Sequence, residues 1–97
     1  MEYIEKETAH EGIEKVCNGM ARLLSEKNKR YGNSALEPLR VFNRADASDG
    51  IMVRIDDKLS RIKNSDKLRK NDVSDLIGYL VLLCIAQGWT DFDDLID

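Results

Sequence analysis

No stretch of this sequence alternates apolar and polar residues over the length of a strand, which leaves no candidate for a sheet. No apolar run reaches the length of a membrane span. The opening "MEYIEKETAHEG" is charged and polar where a signal peptide is apolar, so a cytoplasmic location without membrane contact is expected. Histidine occurs once, at His10, and it is expected on the surface. Ser25, Ser34 and Ser60 therefore have no imidazole placed by sequence to activate them, and a hydrolase triad has no support. Neither a P-loop nor a G-x-G-x-x-G is present. The two cysteines, Cys17 and Cys84, lack zinc-site spacing and sit in apolar runs, so they are expected to be small buried hydrophobes in a reducing compartment. With 15 Lys and Arg against 18 Asp and Glu, a formal charge of −3, neither sign dominates, and direct nucleic-acid binding is not expected.

What is present is helical periodicity. Ile13, Val16, Cys17, Met20 and Leu24 follow the spacing of one buried helix face, predicting a first helix from about Thr8 to Lys29. Gly12 and Gly19 weaken it by about 1 kcal/mol each, so packing must hold it. The stripe Ile51, Ile55, Leu59 and Ile62 predicts a second helix, with Ser48 or Asp49 as its cap. A turn through "KNSDKLRKN" leads to a third helix, capped by Asn71 and apolar on nearly every side from Leu76 to Ile85, as in a segment surrounded by other helices. Gly88 is its expected stop, and Thr90 with Asp93 is placed as a capping box for a short acidic helix. The expected fold is one all-α domain over residues 1–97, a compact bundle of three main helices and a short C-terminal helix. At 97 residues, with one nearly all-apolar helix, a homo-oligomer is expected.

Three features have chemistry in them. At about 100° per residue, Arg54, Asp57, Lys58 and Arg61 share a stripe beside the apolar face of the second helix, where cations can hold phosphates or form a solvated ion-pair face. Asp72 and Asp75 lie on adjacent turns at the start of the third helix, placed either to complement its dipole or to hold a cation. Glu11 and Glu14 repeat that spacing on the first helix, and two such pairs suit Mg²⁺ with a nucleotide's phosphates completing the shell. Between the first two helices, "NKRYGNSALEPL" combines a Tyr-Gly pair, two Asn amides and the only proline, Pro38, in one loop.

These segments carry a resemblance. "EKNKRYGNSALEPLRVF", "GIMVRIDDKLSRI" and "NDVSDLIGYLVLL" resemble small bacteriophage proteins related to the nucleotide-modification-associated domain and, more distantly, the all-α MazG-like nucleoside triphosphate pyrophosphohydrolases. The resemblance implies that Glu11, Glu14, Asp72 and Asp75 hold Mg²⁺ that activates water against a phosphate chain. It also implies a pocket in which Lys27, Arg30, Tyr31 and Asn33 meet Arg54, Asp57, Lys58 and Arg61. Arg30 stands where the relatives tend to carry an acid, a change that favours an anion. The expected function is thus phage-type nucleotide binding, with Mg²⁺-dependent pyrophosphate release as its catalytic form. The alternatives are sequestration of a nucleotide second messenger, or inhibition of a host protein through acids that include Asp91, Asp93, Asp94 and Asp97.

Overall fold

The computed structural model describes residues 6–31 and 47–97. These form three helices, α1 (Lys6–Tyr31), α2 (Ala47–Asn64) and α3 (Lys70–Gln87), followed by a 3-10 turn at Asp93–Leu95. The all-α class with three main helices is as the periodicity predicts, and the expected short terminal helix is that single 3-10 turn. None of the described helices is long and apolar enough to cross a membrane. The chain divides into two units, Met1–Gly32 and Asn33–Asp97.

The first unit contains α1, whose 26 residues extend past both predicted ends. Gly12 and Gly19 remain inside it, and Lys29 and Arg30 lie in its last turn, where cations complement the helix dipole. Its apolar face is more open than expected. Met20 and Leu24 are half-buried, whereas Ile13, Val16 and Cys17 are exposed. The expectation of a buried Cys17 is therefore corrected. Amphipathic spacing fixes which residues share a face, but a helix supplies nothing on its own to close that face.

In the second unit, α2 and α3 pack against each other. Ser48, at the start of α2, meets Gln87, at the end of α3, while Lys58 meets Asp72 and Asp75 near the start of α3, so the pair is antiparallel. The packed stripe of α2 and the following turn is Ser48, Ile51, Ile55, Lys58, Ile62 and Ser65, in alternating steps of three and four residues. Such steps keep a narrow face turned toward one partner helix. Ile51 is 1% exposed and is the fully buried apolar side chain among the described residues.

This stripe corrects the predicted one, because Leu59 is 49% exposed and Lys58 takes its place. Both positions fit a helical period after Ile55. Lysine enters because its methylene stem packs like an apolar side chain while its ammonium reaches two carboxylates.

Both ends of α3 differ in how they are closed. The N-cap is Arg69, in an extended conformation and without a side-chain cap. Asn71, the predicted cap, already lies inside the first turn, and its carbonyl accepts a hydrogen bond from Ser74 Oγ at 3.0 Å. Ser48 and Asp49 likewise lie inside α2 rather than before it. At the other end Gly88 stops α3 as predicted, with φ of 77°. Its N–H donates to Ile85 O at 3.0 Å and that of Trp89 to Cys84 O at 2.8 Å, the paired bonds of a left-handed C-cap. Beyond it, the predicted Thr90–Asp93 capping box is replaced: Phe92 is the N-cap of the 3-10 turn, without a side-chain cap, and Asp91 Oδ1 accepts from the Asp93 N–H at 2.9 Å.

The nearly all-apolar α3 is also not surrounded on every side. Leu80, Val81 and Ile85 are 45%, 38% and 48% exposed on the side away from α2.

Candidate functional site

The charged residues singled out from sequence separate into three groups. At the α2–α3 turn, Lys58 Nζ lies 2.9 Å from Asp75 Oδ2 and 3.7 Å from Asp72 Oδ1. The three side chains are only 12%, 18% and 15% exposed, respectively. The two aspartates occupy adjacent turns at the start of α3, as their spacing requires, and α2 delivers the lysine between them. The hydrogen bond that the Lys58 ammonium donates to Asp75 raises the Lys58 pKa above 10.5, with further attraction from both carboxylates outweighing the opposing effects of burial and Arg61. The lysine thus stays charged, and its half-buried ammonium has two acceptors.

Lys58 is consequently not one of four side chains on a solvent-facing stripe. Arg54, Asp57 and Arg61 remain exposed while Lys58 turns into the packed face. Its positive charge goes to the two acids that sequence had placed around a metal. Asp72 and Asp75 do converge on one cation, and that cation is an ammonium of the chain itself. Carboxylate oxygens are the donors that Mg²⁺ prefers, so their chemistry fits a hard cation, with Lys58 as the competitor. No group of three or more His, Cys, Asp or Glu side chains is placed to hold a metal among the described residues.

Beside this triad is an open cavity of about 510 Å³ lined by Arg61, Asn64, Ser65, Arg69, Asn71 and Asp72. Arg61 comes from the last turns of α2 and Arg69 from the N-cap of α3, so the turn makes both arginines line one cavity. Arg69 also approaches Asp66 Oδ1 at 3.7 Å, an exposed pair of little energetic weight. Ser65 Oγ donates to Lys67 O at 2.7 Å, which holds the turn, and Asn64 Nδ2 donates to Ser60 Oγ at 3.5 Å. The N-terminal amides of α3 lack a side-chain acceptor from the cap and add partial positive charge at this end of the unit.

Of these residues only Arg61 and Asp72 were singled out from sequence as site residues, Asn71 having been read as a helix cap. Asn64, Ser65, Arg69 and Asn71 were missed because "KNSDKLRKN" has the composition of an ordinary turn. The available signal was two arginines eight positions apart, one just before that segment and one within it.

The remaining candidates on α1 belong to the other unit. Glu11 and Glu14 are on the exposed side of α1, where Glu14 Oε1 lies 3.3 Å from His10 Nε2. Lys27 is half-buried, and Arg30 is exposed in the last turn. Tyr31 ends α1; its side chain, together with Asn33, Gly32 and Pro38, lies outside the described residues. The chain matches no protein-family model, no curated protein and no solved structure.

Proposed function

We propose that the chain binds a phosphate-bearing small molecule, a nucleotide first among them, at the cavity beside the α2–α3 turn, and releases it unchanged. The observation that carries this reading is the convergence of Arg61 and Arg69 on one polar cavity of about 510 Å³, a size suited to a small ligand. Guanidinium groups offer forked donors to phosphate oxygens, and the uncapped start of α3 adds oriented amides. Asp72 also lines the cavity, and the Lys58 ammonium at 3.7 Å, shared with Asp75, offsets part of its charge. Binding without turnover is the chemistry of a sequestering protein, and it agrees with the resemblance to phage nucleotide-associated proteins.

The reading is tested by thermal unfolding with inorganic phosphate, pyrophosphate and ATP in turn, without metal. A rise in Tm that Arg61→Ala and Arg69→Ala each reduce is expected. No rise with any of the three at millimolar concentration, or a rise that neither substitution changes, removes it.

A second reading follows from the convergence of Asp72 and Asp75 on one cation. If Mg²⁺ with a nucleotide displaces Lys58, the two acids become metal ligands, as the MazG-like resemblance implies. Pyrophosphate release from a panel of nucleoside triphosphates, absent in the Asp72→Asn, Asp75→Asn chain, would support this reading over mere binding. Release no faster than with that double variant sinks it.

A further inference from the structure

An α-helix without a charge on any side is ordinarily covered on every side. From Leu76 to Gln87, α3 carries no charged residue, yet Leu80, Val81 and Ile85 remain 45%, 38% and 48% exposed on the face away from α2. Trp89 and Phe92 follow directly after the helix and are exposed as well. We propose that this outer face of α3 is the contact between two copies of the chain, which pair antiparallel about a two-fold axis. The proposal does not rest on the ligand reading above, although Arg69 takes part in both.

Two observations select a second copy as the occupant. The first is area. Aromatic side chains bury roughly 150–250 Å² when covered and aliphatic ones somewhat less, so the uncovered parts of these side chains amount to about 400–500 Å². A standard interface takes roughly 800 Å² from each partner, a little over half of it apolar, which is the same quantity.

The second observation is charge. Around the start of α3 the exposed charge is mainly basic, with Lys67, Arg69 and Lys70 against Asp66; shortly after the helix the chain is acidic, with exposed Asp91, Asp93 and Asp94. The helix between them has 18 residues, a length of about 27 Å. An antiparallel two-fold pair therefore sets the basic end of each copy beside the acidic end of the other, twice, with the uncharged segments between them. A parallel pair would set like charges together at both ends. The self-complementarity that a two-fold contact demands is thus written into one helix and its flanks.

Sedimentation equilibrium of the full chain at micromolar concentration should give a dimer. Val81→Glu, near the middle of the face, should weaken it at least about a hundredfold, since two carboxylates would be buried against each other. Far-UV circular dichroism should show unchanged helicity in that variant. Two charge-reversed chains provide a test that leaves the apolar face intact: Asp91→Lys, Asp93→Lys, Asp94→Lys in one, and Lys67→Glu, Arg69→Glu, Lys70→Glu in the other. Each alone should dimerise about tenfold more weakly at low salt, and mixing them should restore a heterodimer. A monomeric wild-type chain overturns the proposal. So does a dimer indifferent to Val81→Glu, or a mixture of the reversed chains that associates no better than either alone. If Val81→Glu loses its helicity, the charge-reversed pair decides.

Discussion

The two ends of the α2–α3 hairpin are closed by different chemistry. At the end far from the turn, Ile51 is fully buried one turn from a neutral hydrogen bond, in which Gln87 Nε2 donates to Ser48 Oγ at 2.7 Å. At the end near the turn, the same stripe of α2 places a lysine between two aspartates, with all three side chains partly open to water. The neutral end gains by removing a large apolar surface from water and tolerates one polar pair because both partners are satisfied. The charged end gains less from burial, since desolvating three ionised groups offsets much of their attraction. What it adds is specificity. A lysine facing acids on successive turns of α3 matches one alignment of the helices, and sliding either by a turn would part them.

Substitutions at each end separate these contributions. Ile51→Ala should have the largest effect, about 2–5 kcal/mol, because it removes three carbons from the one fully buried apolar site described and leaves a cavity. Urea unfolding followed by circular dichroism measures it. A loss below 1 kcal/mol would mean that the neutral end is not what holds the hairpin.

Lys58→Met comes next, at about 2 kcal/mol, because it keeps the stem but removes the ammonium that Asp72 and Asp75 share. Adding Asp72→Asn and Asp75→Asn to Lys58→Met should recover most of that loss, and failure to do so would assign the cost to packing instead. The wild-type pair also has a pH signature. The Lys58 pKa is raised on folding, so its stabilisation is complete below pH 10.5 and is lost as pH rises through the higher folded-state value. Stability that began to fall for this reason well below 10.5 would contradict the geometry.

Gln87→Ala should cost about 1 kcal/mol, since Ser48 Oγ is 7% exposed as a residue and would lose its partner. Gly88→Ala should cost about as much or slightly less. Its φ of 77° is left-handed, although an added Cβ would meet nothing within 4 Å. Thermal unfolding ranks both substitutions, and a Gln87→Ala loss exceeding that of Lys58→Met would invert the comparison between the two ends.

Much of this could be read before any coordinates. The period of Ile13, Val16, Met20 and Leu24 marks α1, that of Ile51, Ile55 and Ile62 marks α2, and Gly88 marks the end of α3, because each signal lies within a few residues and follows from helix geometry. The convergence of Asp72 and Asp75 was also legible, since three-residue spacing brings side chains together on any helix. The identity of what they hold was not. Whether Lys58 or Leu59 enters the packed stripe differs by one position, about 100° on the helix, and both satisfy the pattern set by Ile55 and Ile62.

By itself, then, the sequence determined that the chain is helical, where the three main helices run and which residues share each face, all consequences of local spacing. The tertiary structure decided the rest, because each remaining choice depends on a second helix. Only the approach of α3 makes Lys58 a better occupant than Leu59, turns two metal-like acids into the partners of an ammonium, and brings Arg61 and Arg69 to one cavity across a turn of plain composition. The same approach covers one face of an all-apolar helix and leaves the other open. Periodicity cannot distinguish those faces when every side is apolar.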